Sequence, residues 1–395
     1  MNNRQIFLQN IAQTSDFPLM LEINHAKGVY MYEKSGKSYI DMISGIGVSS
    51  LGHCHPKVVK SVQKQAETYM HLMVYGEFVQ SPQVEFAKSL VKTLPKHLQS
   101  TYLVNSGSEA VEGALKLAKR YTGRKEMISC IDAYHGSTHG ALSVGGDEEL
   151  KANYRPLLPH VSHIRFNNVD DLGQITTKTA CIIIETIQGE AGVILPQNDY
   201  LKSVRERCNE TGTLLILDEV QTGAGRTGKF WAFEHYGITP DIIVTAKGIG
   251  GGMPIGAFIS SNEIMNVLKD NPILGHITTF GGHPVSAAAA HTCVEELINT
   301  SLIEEVEEKA ELIKSLLVKH PAVKSIRNKG LLMAVQFDSF EQNKKIIDKA
   351  IELGLLSDWF LYCDDSLRIA PPLIITKEEI KIACKIILDA IDKIE

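Results

Sequence analysis

Three short apolar runs in the middle of the chain, at residues 180–184, 213–217 and 241–244, are unbroken rather than alternating in polarity. Strands covered on both faces read this way, because neither face has to meet water. A segment of helical periodicity separates the first two runs. Leu201, Val204 and Cys208 fall on one of its faces, Asn198 is placed to cap its start, and Thr211-Gly212 closes it. This order predicts a parallel βαβ unit. Each run leads to a residue able to do chemistry: Glu185 after the first, Asp218 after the second and Lys247 shortly after the third. Ligands of open parallel α/β sheets bind beyond the carboxyl ends of the strands, so the pattern predicts an α/β fold with its function at that edge. From about residue 290 the texture changes. Ile303, Val306, Ala310, Ile313 and Leu317 recur at helical spacing, and a β-like stretch follows at 331–337, which predicts a smaller C-terminal α+β lobe.

Composition narrows the class. A chain of 395 residues, 44% hydrophobic and 22% charged, can bury a large core, and no repeat, low-complexity block or Pro/Ser linker interrupts it. Its formal net charge is −6, with Lys and Arg scattered among acids, so it offers no basic stripe to a nucleic acid. The opening residues lack the apolar stretch of a signal peptide, and no run is long enough to span a bilayer; a soluble, cytoplasmic protein is expected. Seven cysteines are widely spaced without a Cys-x-x-Cys pair, which predicts reduced thiols and no zinc or redox motif.

Several segments bear on chemistry. Asn105-Ser106-Gly107-Ser108-Glu109-Ala110 follows a β-like run at 101–104 and opens a helix reaching Tyr121. It reads either as an ordinary N-cap or as a phosphate cup, in which Gly107 admits the anion, Ser108 offers a hydroxyl and free N–H groups point at it. Residues 223–228 match the dinucleotide pattern G-x-G-x-x-G, yet Lys229-Phe230-Trp231-Ala232-Phe233 is too bulky to start a helix packed on a sheet, and no acid closes a second strand about twenty residues on. A glycine-hinged loop is the better reading. His53-Cys54-His55 has no third ligand nearby, so no metal is assigned. Lys247 leaves a buried strand and enters a glycine run, where burial would lower its pKa and favour the neutral, nucleophilic amine. Asp218 and Glu219 end an apolar strand, and a buried carboxylate there calls for a cationic partner.

Together these motifs resemble, in order and over nearly the whole chain, the class III (ω-amino acid) aminotransferases that depend on pyridoxal 5′-phosphate (PLP), among them acetylornithine, ornithine and 4-aminobutyrate aminotransferases. Residues 28–41, Ser44-Gly45-Ile46 and residues 51–56 look like the family's N-terminal segment. The resemblance implies the PLP-dependent transferase fold of type I, with a large domain at 51–289 and a small one built from 1–50 and 290–395. It implies Lys247 as the Schiff-base lysine, Asp218 as partner of the pyridine nitrogen, and Gly107 and Ser108 at the phosphate. Tyr134 of Tyr134-His135-Gly136 would cover one ring face and Val220 the other, with Glu185, His135 and Gln221 also at the cofactor and Gln221 near its phenolic oxygen. Thr279, in residues 278–284, would reach the cofactor phosphate of a neighbouring subunit, which implies a homodimer. Arg368 would grip a substrate carboxylate, with Glu190 paired to it while an ω-amino donor occupies the site. Thr186 departs from the family's proline, and Ser137 stands where acetylornithine and ornithine enzymes carry arginine, which leaves the donor open. The expected reaction moves an amino group from an ω-amino donor to a 2-oxo acid, 2-oxoglutarate first. A PLP-dependent aminomutase or racemase on the same scaffold is the alternative, and a nicotinamide-dependent oxidoreductase a distant one.

Overall fold

The computed structural model describes residues 2–394. At its centre lies a seven-stranded sheet in the order Ser100–Val104, Gly256–Ser260, Ile242–Thr245, Leu214–Asp218, Thr179–Glu185, Glu126–Cys130 and Val161–Ile164. Only Gly256–Ser260 runs antiparallel to its neighbours. The three apolar runs are adjacent strands, each buried along its whole length. Alternate residues enter separate cores. Ile182, Ile184, Leu215, Leu217 and Ile243 face one; Cys181, Ile183, Leu214, Ile216 and Val244 face the other. Helix Gly107–Thr122 covers the second face, and Leu201, Val204 and Cys208 of helix Tyr200–Thr211 cover the first. Unbroken apolar runs are therefore what this sheet requires.

Two expectations change in detail. Asn198 does not cap the helix, which begins at Tyr200 after Asp199. Asn198 and Asp199 both have left-handed backbone, with φ of 47° and 58°, whereas a capping side chain reaches the first-turn N–H groups from extended backbone. Ile303 lies in turns ahead of helix Val306–Leu317 and packs against the core from there. The closing glycine behaves as read: Gly212 adopts φ 64° and its N–H donates to the Cys208 carbonyl.

The ends of the chain meet. Strands Ile23–Lys27, Tyr30–Glu33 and Ser38–Asp41 form a sheet completed by Leu355–Leu356, which pairs in parallel with Ser38–Asp41. A third sheet holds Ser325–Lys329, Leu332–Gln336, Cys363–Ile369 and Trp359–Phe360. The glycine loop at 223–228 joins these parts. The buried Arg226 guanidinium donates to the carbonyls of Leu331 and Pro371 and to Ser44 Oγ, and burial pushes its pKa down to about 10. The loop leads into the buried Trp231 and the short turn Ala232–His235, not into a helix laid on the sheet. His53 Nε2 is 2.8 Å from Asp41 Oδ2, whose partner oxygen accepts the N–H groups of Ile43 and Ser44.

Glu219 shows how a carboxylate survives inside this core. Its Oε1 accepts from Thr186 Oγ1 (2.6 Å) and Phe233 N–H, and its Oε2 from Thr222 Oγ1 (2.6 Å) and Ala232 N–H. Burial pushes its pKa up, while those four donors favour the charged form. Thr186 thus supplies a hydroxyl that a proline at this position could not. Thr186→Val should lower unfolding stability by about 1–3 kcal/mol, the cost of leaving a buried acceptor one donor short. Denaturant melts of the two proteins measure this, and coincident midpoints would refute it.

Candidate active site

The parallel register sets Glu185 directly opposite Asp218, so two carboxylates stand side by side as the last residues of neighbouring strands. The adjoining strand ends at Thr245, and Lys247 comes two residues later with φ 48°. A non-glycine residue in that region carries strain that the surrounding structure must hold, a condition common at functional sites. These three side chains and the start of helix Gly107–Thr122 enclose a cavity of about 420 Å³. Ser106, Gly107, Ser108, Tyr134, His135, Val220 and Gln221 complete the part of its wall that bears on chemistry. Enclosure disfavours the ammonium form of Lys247, so its pKa lies below that of an ordinary lysine.

The 105–110 segment contains the N-cap and leaves other residues to the cavity. Ser106 is the N-cap, its Oγ accepting from Glu109 N–H at 3.2 Å, and Glu109 in turn accepts from Asn105 N–H. Gly107 and Ser108 are left facing the cavity, and their N–H groups find no acceptor among the described residues. An anion would satisfy them. Opposite, Gly136 has φ 120°, and a β-carbon there would run into the Ser108 hydroxyl. Only glycine lets the Tyr134-His135 loop close against the cup.

Each carboxylate is held by the same loop. Glu185 accepts from Tyr134 N–H at 3.0 Å and from Gly189 N–H at 2.8 Å, and burial, with Asp218 beside it, pushes its pKa up to about 7. Asp218 Oδ2 lies 2.7 Å from His135 Nδ1, and its Oδ1 accepts from Val220 N–H at 3.0 Å. His135 Nε2 is buried without a partner among the described residues. The Tyr134 hydroxyl is 3.3 Å from Ser137 Oγ, on an exposed stretch outside the cavity wall.

Beyond Gln221, whose Nε2 is 3.4 Å from Glu190 Oε1, lies an enclosed ion pair. Arg368 Nη1 and Nη2 donate to Glu190 Oε1 and Oε2 at 2.7 and 2.9 Å, the bidentate geometry that suits a carboxylate. Burial opposes the charge of both, yet each holds the other ionised, with Glu190 below and Arg368 above its ordinary pKa. Thr279 is not brought to this cavity; it is exposed, and its carbonyl lies 2.9 Å from His71 Nε2. Val48, Met253 and Ile255 also line the wall, and Asp358 stands on Arg368; no motif in the sequence marked these four.

The profile of class-III aminotransferases matches residues 11–391. The chain is 38% identical over 95% of its length to acetylornithine aminotransferase of Methanopyrus kandleri, likewise covered to 95%. It is 35% identical to the [LysW]-aminoadipate semialdehyde/glutamate semialdehyde transaminase of Sulfolobus acidocaldarius, covering 95% of this chain and 96% of that one. The crystal structure of Toxoplasma gondii ornithine aminotransferase superposes with a TM-score of 0.91 at 30% identity, covering 100% of this chain and 96% of that one. The architecture is thus the α/β fold of PLP-dependent transferases, fold type I. The chain belongs to the class-III aminotransferase family, and its cofactor is PLP.

The cavity fits that group. It offers two unpaired N–H donors and a hydroxyl to a phosphate, a paired carboxylate to a ring nitrogen, and a lysine with depressed pKa to an aldehyde. Gly136→Ala should therefore weaken PLP binding roughly tenfold, because backbone strain of about 1–3 kcal/mol falls on the loop that closes the cup. Cofactor titration followed by visible absorbance measures the change, and unaltered affinity would refute the role of the glycine.

Proposed function

We propose that Lys247 is the lysine that holds PLP covalently and that Asp218 keeps the ring nitrogen protonated. The observation that carries this is the strand register, which sets Asp218, Glu185 and Lys247 around one cavity. PLP, when bound, draws electrons away from the substrate carbon that bears the amine. Asp218 is fixed for its part by His135 and by Val220 N–H, so its charge is aimed before the ring arrives. Released from the cofactor, the Lys247 amine would stand over the substrate carbon and carry its proton. Gly107 and Ser108 bind the phosphate, Tyr134 and Val220 enclose the ring, and Gln221 lies toward its phenolic oxygen. Glu185 and His135 belong to the same shell, with Glu185 fixing the Tyr134 backbone.

The pair at Arg368 supports an amino donor whose reacting end has no carboxylate. Glu190 covers the guanidinium during the first half of the cycle and leaves it to the carboxylate of a 2-oxo acid, 2-oxoglutarate foremost, in the second. Donors of the acetylornithine, 4-aminobutyrate or diamine kind fit this reading. Ser137, beside Tyr134, would bound the donor's far end without a charge for it. Arg368→Ala should raise the KM for 2-oxoglutarate at least about tenfold, the loss of a bidentate charged pair. Steady-state assays with these donors, and 2-oxoglutarate against pyruvate, test it; a preference for pyruvate together with untouched 2-oxoglutarate kinetics in the variant would sink the clamp.

We further propose a cytoplasmic homodimer in which Thr279 completes the neighbour's phosphate site, and a small domain made of 1–50 and 290–395. The strand pairing between residues 38–41 and 355–356 supports the domain. For the dimer, Thr279 lies outside its own cavity among exposed apolar side chains, with Ile273 76% and Phe280 54% exposed. No helix among the described residues is long and apolar enough to cross a membrane. Lys247→Ala should abolish turnover and Thr279→Ala impair it, while mixing the two chains should yield heterodimers with one site free of both changes. Activity of the exchanged mixture, compared with each variant alone, reads this out. Absence of rescue after proven subunit exchange would exclude the shared site.

A further inference from the structure

Arg368 has a second acidic neighbour that the exchange between Glu190 and a 2-oxo acid does not use. Asp358 Oδ1 lies 2.9 Å from Arg368 Nε, on the edge of the guanidinium that Glu190 leaves free. The contact is a charge pair out of line for a hydrogen bond, so the Nε–H remains without an aligned acceptor among the described residues. Asp358 is anchored from behind: its carbonyl accepts Arg368 N–H at 2.9 Å, and the neighbouring Ser357 hydroxyl donates to the Arg368 carbonyl at 2.6 Å. The Phe360 ring lies under the guanidinium with 4.5 Å to its centroid, and the Trp359 carbonyl accepts from Nη2 at 2.9 Å. Arg368 is thus held on three sides by the segment 357–360, while Glu190, in the loop at 189–192 near Gln221, accepts from Leu361 N–H at its Oε2 and from Tyr362 N–H at its carbonyl, both at 3.1 Å.

We propose that Asp358 is a positioning residue, the counter-ion that stays with Arg368 when Glu190 departs and so makes that departure inexpensive. The inference rests on the clamp reading above. A buried guanidinium stripped of its only carboxylate is strongly destabilised, since the charge is left without compensation. With Asp358 in place, opening the Glu190 pair exposes an arginine that is still paired and still oriented; Nη2 keeps the Trp359 carbonyl, and the Nη1 and Nη2 hydrogens that Glu190 held become free for an incoming carboxylate. Asp358 and Glu190 also repel each other across the cation, which loosens the pair that must open. Burial pushes the Asp358 carboxyl up to about 6, with Glu190 and Asp41 adding to the rise, while the Arg368 guanidinium beside it favours the charged form.

The test is a double-mutant cycle on the holoenzyme, with the two half-reactions followed separately by cofactor absorbance and 2-oxoglutarate as acceptor. Asp358→Asn should lower kcat/KM of the acceptor half-reaction about tenfold in the Glu190 background, with a much smaller change in the donor half-reaction. In the Glu190→Gln background, where no charged pair has to open, the same substitution should change the acceptor constant by less than about twofold. Asp358→Glu, which restores the charge, should recover part of the loss, and it guards against a folding defect of the amide variant. Equal effects in both backgrounds, including no effect in either, would overturn the role of Asp358, as would equal losses in both half-reactions. If Arg368→Ala leaves 2-oxoglutarate kinetics unchanged, the clamp itself fails and the inference with it. An intact clamp with an additive cycle removes Asp358 alone.

Discussion

The parallel register of two buried strands is the constraint on which the rest depends. Because Glu185 pairs with Asp218, and Ile216 with Ile242 on the next strand, the ends of three strands arrive together at one edge of the sheet. A slip of one residue would turn each side chain to the opposite face, exchanging the two apolar cores and withdrawing both carboxylates from the cavity. Because both cores are close-packed, side chains of different shape would have to exchange places, which makes such a slip costly. The chemistry at the edge is therefore located by packing that contains no chemistry at all.

That arrangement gathers acids where water is scarce, and each is accommodated in a different way. Glu219 is surrounded by four protein donors and is complete without a ligand. Glu185 has two backbone donors and a pKa near neutrality. Asp218 has one backbone N–H and one histidine and lines the cavity, where the proposed role would have it face a cationic ring nitrogen. Adjacent residues 218 and 219 thus serve opposite ends. One lines the cavity, and the other braces the loop that turns away from the strand.

Much of this was legible in the sequence, for a physical reason. Buried parallel strands leave an unmistakable run of apolar residues, and their chemistry-bearing ends come at once in the sequence, so Glu185, Asp218 and Lys247 could be located within a residue or two. Local signals failed where backbone conformation decided the outcome: Asn198 has the side chain of a cap but a left-handed φ. The 105–110 segment was ambiguous between a cap and an anion site; the structure shows that Ser106 caps the helix while Ser108 faces the cavity. Asp358 carried no signal, since it meets Arg368 through the strand-edge geometry of 357–369 and belongs to no motif.

On the proposed exchange at Arg368, the charge around the guanidinium bears on how one pocket would take two unlike reagents in turn. A site that presented a bare guanidinium would bind any carboxylate well and would discriminate poorly against donors that carry one next to the reacting amine. Covering it with a tethered carboxylate converts that attraction into a competition, which a free 2-oxo acid must win by matching the same bidentate geometry. The competition is workable only if the arginine does not move when its partner is exchanged. Phe360 beneath the guanidinium, the Trp359 carbonyl on the second hydrogen of Nη2 and the backbone pairing between 358 and 368 meet that requirement while leaving one hydrogen on each Nη for a carboxylate. The arginine is therefore anchored from behind, independently of the Glu190 pair in front of it. On the proposed exchange, the order of substrates would follow from that fixed arginine.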